Sequence, residues 1–147
     1  MLKLRPALAA DIDALLQLLD ALFTIEQDFT PDRERQRRGI EMLLQAPDAY
    51  VAVAEHEGAV IGMATLQVVI STAEGGSSGL IEDVVVRESH RGRGIGQMLM
   101  NHLVAWAENR GLSRLQLLAD QDNRPALDFY RKQGWSMTRL IALRKRP

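Results

Sequence analysis

Apolar residues at Ile12, Leu15, Leu16, Leu19, Leu22 and Phe23 recur at helical spacing, so this stretch is predicted as a helix with Asp11 capping its first turn. Residues 2–5 alternate apolar and charged positions before Pro6, which reads as a short strand ending in a turn. Thr30 followed by Pro31 opens a second helix to about Gln45, with Arg33, Arg35, Arg37 and Arg38 on a solvated face. The period then changes. Residues 50–55 and 59–70 are rich in Val and Ile around His56-Glu57-Gly58 and predict a hairpin. Residues 71–79 read as a polar, glycine-rich loop, and residues 80–87 as a third strand whose Val84, Val85 and Val86 are covered on both faces. Ile95, Leu99, His102, Leu103 and Trp106 share one face of a helix that ends near Gly111. A strand over 114–119, a helix from Asn123 to about Gln133 stopped by Gly134, and a terminal strand or hairpin over 135–144 complete the chain.

This order of elements predicts an α/β (α+β) fold: a mixed, mostly antiparallel, twisted sheet flanked by helices, in which a meander feeds a β-α-β crossover. The 147 residues, 46% hydrophobic and 25% charged, fit a single domain, 1–147, large enough to bury a core without staples. The absence of cysteine excludes disulfides, thiolate zinc sites and a cysteine nucleophile. His56, His90 and His102 lie in separate segments without ligand spacing, so no metal is expected. Nothing in the sequence predicts a membrane span or an export signal, and a cytoplasmic setting is expected. The formal charge of −1 conceals a division: residues 1–83 carry 6 Lys/Arg against 14 Asp/Glu, whereas residues 84–147 carry 12 against 5. The second part therefore favours anions. Basic residues near the C-terminus, Arg139, Arg144, Lys145 and Arg146, lack an aromatic platform, so no nucleic-acid partner is expected.

The sharpest local pattern is Arg91-Gly92-Arg93-Gly94-Ile95-Gly96, between a strand and an amphipathic helix. Glycines admit positive φ and close approach, and the free N–H groups of a helix start cradle an anion. Arg91 and Arg93 add forked donors suited to phosphate oxygens, so the expected ligand is a pyrophosphate. A Walker loop needs a lysine and Ser/Thr after its last glycine, which this turn lacks. A dinucleotide fingerprint needs a third glycine where Gln97 stands.

Two motifs resemble the GNAT superfamily of acyl-CoA N-acyltransferases. The R/Q-x-x-G-x-G/A signature matches Arg91, Gly94 and Gly96, and an N-x-x-A-x-x-F-Y-x-x-x-G-F/W element matches Asn123, Ala126, Phe129, Tyr130, Gly134 and Trp135. The strand at 81–86 is similar to that of polyamine and glucosamine-6-phosphate acetyltransferases. The resemblance covers most of the chain in element order and residues 80–135 in detail. It implies acetyl-CoA as co-substrate and a central, splayed parallel strand pair, with the pantetheine arm bonded by backbone groups of Val84, Val85 and Val86. It further implies contacts from Arg91, Gly92, Arg93, Gly94, Ile95, Gly96 and Gln97 to the pyrophosphate, and from Asn123 and Ala126 to the arm. An N–H near Val84 would polarise the thioester carbonyl. Glu82 is the first candidate for the base, directly or through a water, and Asp83 the second; adjacent strand residues face opposite sides unless a bulge intervenes. Tyr130 is the expected general acid. Glu26 and Asp28, with Glu82, would form an acidic mouth for a small, cationic amine acceptor. A non-catalytic acyl-CoA sensor, or a transferase for amino sugar phosphates, aminoglycosides or peptide N-termini, is the alternative, and a homodimer is expected.

Overall fold

Valines and alanines alternate along residues 51–54, and this period-two pattern builds the centre of the sheet. The computed structural model describes residues 1–25 and 30–147, in two compact units, Met1–Leu117 and Leu118–Pro147. Glu26 and Asp28, expected at the acidic mouth, lie outside the described residues. In the first unit, β1 (Leu2–Pro6), β2 (Ala49–His56), β3 (Ala59–Ser71), β4 (Gly76–Val86) and β5 (Leu115–Leu117) form one sheet in that spatial order. Neighbours are antiparallel except β4 and β5, which pair in parallel with Gly79 opposite Leu115 and Ile81 opposite Leu117. With α1 (Ile12–Ile25), α2 (Arg33–Gln45) and α3 (Ile95–Asn109), this is the expected mixed, mostly antiparallel architecture. The parallel pair stands at one edge of the five-stranded sheet.

The two faces of the sheet carry different helices. Val51, Val53, Met63 and Val85 join Leu15, Leu16, Leu19 and Ile40 in one core, against α1 and α2. On the other face Gly62 lets β3 approach α3 closely: a Cβ there would meet the Leu99 side chain at 3.1 Å. Tyr50 stacks on Trp106 of α3 on that same face, 5.1 Å between rings, and its hydroxyl bonds His102 Nε2 at 2.5 Å.

Several boundaries depart from the sequence expectation. Cross-strand pairing carries β3 to Ser71 and starts β4 at Gly76, so the predicted loop over 71–79 shrinks to a tight turn at 72–75. The second helix begins at Arg33; its cap is Asp32, which accepts the Arg35 N–H at 3.2 Å, and not the Thr30-Pro31 pair. Asp11 closes a short 3-10 turn, Ala9–Asp11, by accepting the Leu8 N–H at 2.7 Å, and its carboxylate takes two bonds from the Arg5 guanidinium.

The second unit contains α4 (Arg124–Lys132), whose two ends explain half of the second motif. Asn123 caps it by accepting the Ala126 N–H at 3.2 Å. At the other end Gly134 takes φ +88°, the Gly134 N–H donates to the Arg131 carbonyl and the Trp135 N–H to the Tyr130 carbonyl, both at 3.1 Å, forming a Schellman closure. Residues 135–147 form no helix or strand. The expected terminal strand is missing because Met137, Leu140, Ile141 and Leu143 remain exposed, and an alternating pattern holds as a strand only when one face is covered.

Candidate active site

The register of β4 against β3 slips by one residue between Met63 and Thr65: Val85 pairs with Met63, but Glu82 pairs with Thr65. One extra residue is thereby accommodated opposite Ala64, and the bulge is marked by Asp83 at φ +54°, in the left-handed region that Asp tolerates better than most side chains. Regular alternation would send Glu82 and Asp83 to opposite faces. With the bulge, both line one cavity of about 450 Å³ between the sheet and α1 and α2, whose walls include Leu19, Phe23, Ile40 and Leu43. Thr65, almost wholly buried, fixes this arrangement by donating its hydroxyl to the Glu82 carbonyl at 3.0 Å, with the Asp83 carboxylate 3.4 Å away. Glu82 itself is exposed.

The same bulge resets the strand beyond it. Val85 returns to the α1 core, while Val84 and Val86 are half-buried. Arg87 donates its N–H to the Ile61 carbonyl at 2.7 Å, so alternation turns the backbone groups of Val86 away from β3, towards the edge where β5 has already ended opposite Ile81. One of those groups is engaged: Arg91 Nε donates to the Val86 carbonyl at 2.9 Å. Arg91 thus ties the glycine turn to the strand and presents the rest of its guanidinium outward, a positioning role that the sequence reading did not assign.

The turn has the predicted form. Gly92 and Gly94 sit at φ +75° and +78°, a Cβ at either would point into open space, and Gly94 is the N-cap of α3. The first helical bond runs from the Met98 N–H to the Gly94 carbonyl at 3.1 Å, so the amides of Ile95, Gly96 and Gln97 precede it without an intrahelical acceptor. No side chain caps them. Ile95 is buried in the core and can offer only its amide, whereas Arg93 and Gln97 are exposed. Lost hydration, and then the positive charges of Arg93, His56 and Arg87 against the opposing Glu57, hold the nearby His90 imidazole below its ordinary value. These features fit a polyanionic diphosphate.

In the second unit, Tyr130 lies on α4 with its ring edge-on to Phe129 and to Trp135, at 5.2 and 6.1 Å between centroids. The Ala126 amide, expected at the arm of the coenzyme, is already bonded to Asn123, whose side-chain NH₂ still offers donors. Among the described residues, no three His, Cys, Asp or Glu side chains converge as a metal would require.

The model of the acetyltransferase (GNAT) family matches residues 12–135. The chain belongs to this family. Aminoalkylphosphonate N-acetyltransferase of Salmonella typhimurium is 28% identical over 140 residues, spanning 92% of this chain and 86% of that protein. Streptothricin acetyltransferase of Streptomyces lavendulae is 43% identical over 56 residues, 38% of this chain, and the match spans only 30% of that protein's length. Among solved structures, a predicted acetyltransferase of Clostridium acetobutylicum with acetyl-CoA superimposes with a TM-score of 0.80 at 23% identity, over 98% of this chain and 96% of that one. A possible acetyltransferase of Clostridium difficile reaches 0.88 at 17% identity, over 100% and 98% of the two chains. At these identities the likeness of structure establishes the GNAT fold.

Gln36 escaped the sequence reading. It is flanked by Arg35 and Arg37, and the whole segment reads as a solvated face, yet Gln36 shares the inner stripe of α2 with Gly39, Ile40 and Leu43 and lines the cavity. Its spacing of four from Ile40 and seven from Leu43 was the available signal.

Proposed function

We propose that this protein transfers the acetyl group of acetyl-CoA to the primary amine of a small, cationic metabolite by direct attack in a ternary complex. The observation that carries this reading is the bulge at Asp83, which turns two carboxylates into one apolar-walled cavity immediately before the strand segment that leads to the glycine turn. Family membership and the relatives that act as N-acetyltransferases support it.

In this reading the amides of Ile95, Gly96 and Gln97, with Arg91 and Arg93, hold the diphosphate. Backbone groups of Val84, Val85 and Val86 hold the pantetheine arm as an added strand, and Asn123 donates to it. Acetyl-CoA supplies an activated thioester carbonyl. Glu82, with Asp83 beside it, draws in the ammonium form of the acceptor and takes the proton that must leave before nitrogen attacks. The N–H near Val84 donates to the carbonyl oxygen as its negative charge grows. Tyr130 gives its proton to the departing sulfur, leaving amide and free coenzyme A. Free thiol release from acetyl-CoA across a panel of primary amines tests the reading. Tyr130→Phe is expected to lower the rate by about 10²-fold while acetyl-CoA still binds; no thiol release above the hydrolytic background with any amine would overturn it.

A further inference from the structure

The cavity that holds Glu82 and Asp83 is also lined by two amides that the mechanism does not use, the exposed Gln67 and the half-buried Gln36. Both polar side-chain atoms of Gln36, Nε2 and Oε1, are fully buried, and neither has a hydrogen-bond partner among the described residues. An amide held this way has given up its water bonds without replacing them, a state that folded interiors avoid. A leucine in its place would cover the same apolar walls at no such cost, so the amide is explained by a ligand whose entry turns it into the cavity and completes its bonds.

The cavity lining narrows what that is. A carboxamide presents two donors and an acceptor side by side, and its full complement is a neutral group that also offers both, another amide. An anion would satisfy the donors but face Oε1. Among the described residues no Lys, Arg or His lines the cavity. Three arginines of α2 are drawn to carboxylates instead: Arg37 to Asp13 at 2.9 Å, Arg33 to Asp20 and Arg35 to Asp32, both at 3.5 Å. Leu19, Phe23, Ile40 and Leu43 supply the apolar walls around Gln36 and the two carboxylates, with the Gln67 amide of β3 at the exposed side.

Resting on the acetyl-transfer reading, we infer that the acceptor is a primary amine with an apolar body and a neutral carboxamide at its far end, read by Gln36, and that a phosphate or carboxylate at that end is rejected. Gln36 is then the residue that sets acceptor specificity, and the chain differs in its acceptor from the relative named for aminoalkylphosphonates.

The test uses a series with one five-carbon body: 6-aminohexanamide, 6-aminohexanoate, 5-aminopentyl phosphate and hexylamine. Wild type should acetylate the amide with a kcat/KM about tenfold or more above the other three. Gln36→Leu should lose that preference, turn over hexylamine faster than wild type, and melt at a higher temperature, because it removes an unsatisfied buried amide; a residue that merely supports α2 would lower the melting temperature. Calorimetric titration of the same amines in the presence of coenzyme A, which cannot react, reads recognition apart from catalysis. Turnover of several amines with no amide preference, or best turnover of the phosphate or carboxylate, overturns the inference and leaves acetyl transfer standing. Selective binding of the amide without turnover overturns acetyl transfer and leaves the assignment of Gln36 standing. Neither binding nor turnover of any amine in the series, with no thiol release across the wider panel of amines, overturns both.

Discussion

Two polar clusters in the first unit are treated in opposite ways. At the start of the sheet, Arg5 bonds Asp11 through two guanidinium nitrogens at 2.7 and 3.0 Å and Glu55 through a third at 2.7 Å, and Asp11 also accepts the Leu8 N–H. The Arg5 hydrogen bond outweighs the opposing effect of burial and holds the Asp11 carboxyl below its ordinary value. In the cavity under α2, the Gln36 amide is buried without a partner among the described residues, and Asp83 occupies a left-handed backbone conformation. The first cluster completes itself and serves the fold. The second holds an amide, that of Gln36, that finds no partner among the described residues.

Substitutions in the two clusters should therefore separate stability from activity. The largest effect is expected at Glu82→Gln, which should lower kcat/KM for the amine by about 10²-fold with no change in melting temperature, since Glu82 is exposed; Asp83→Asn falling further than Glu82→Gln would move the base to Asp83. Next is Asp11→Asn, expected to destabilise by about 2 kcal/mol in urea titrations while kcat stays as in wild type. Its pH dependence has a definite sign. Because the folded Asp11 carboxyl lies below its unfolded value, its contribution is complete above about pH 4 and is lost as pH falls towards the folded value, so the gap between variant and wild type should close in acid. The smallest effect is expected at Gly39→Ala. A Cβ there meets nothing within 4 Å, so the helix should gain about 0.5–1 kcal/mol while the cavity narrows and KM for bulky amines rises.

Local chemistry made some of this legible in the sequence. The turn from Arg91 to Gly96 could be read because glycine, arginine and a following amphipathic pattern each point to the same backbone, and the structure has Gly92 and Gly94 at positive φ. The sheet and its helices follow from period alone. What could not be read depends on partners distant in sequence. Gln36 resembles its arginine neighbours until α2 is docked on the sheet. That a bulge would intervene and bring Glu82 and Asp83 to one side is a matter of register against Thr65, seventeen residues before Glu82. Residues 135–144 alternate as a strand would, but the pattern does not supply the surface it needs.

The bulge in β4 also limits how the gene can vary. Without it, the register through Glu82 and Thr65 would set Val85 opposite Gly62, on the α3 side, instead of opposite Met63. Losing one codon between Ile81 and Val85 would remove the extra residue and leave Val85 opposite Met63, so both cores would keep their residues, while Glu82 and the residue after it would return to opposite faces and the cavity would lose its paired carboxylates. The strand behaves like a message with a reading frame of two, and the bulge absorbs the one inserted residue so that the frame against β3 is kept.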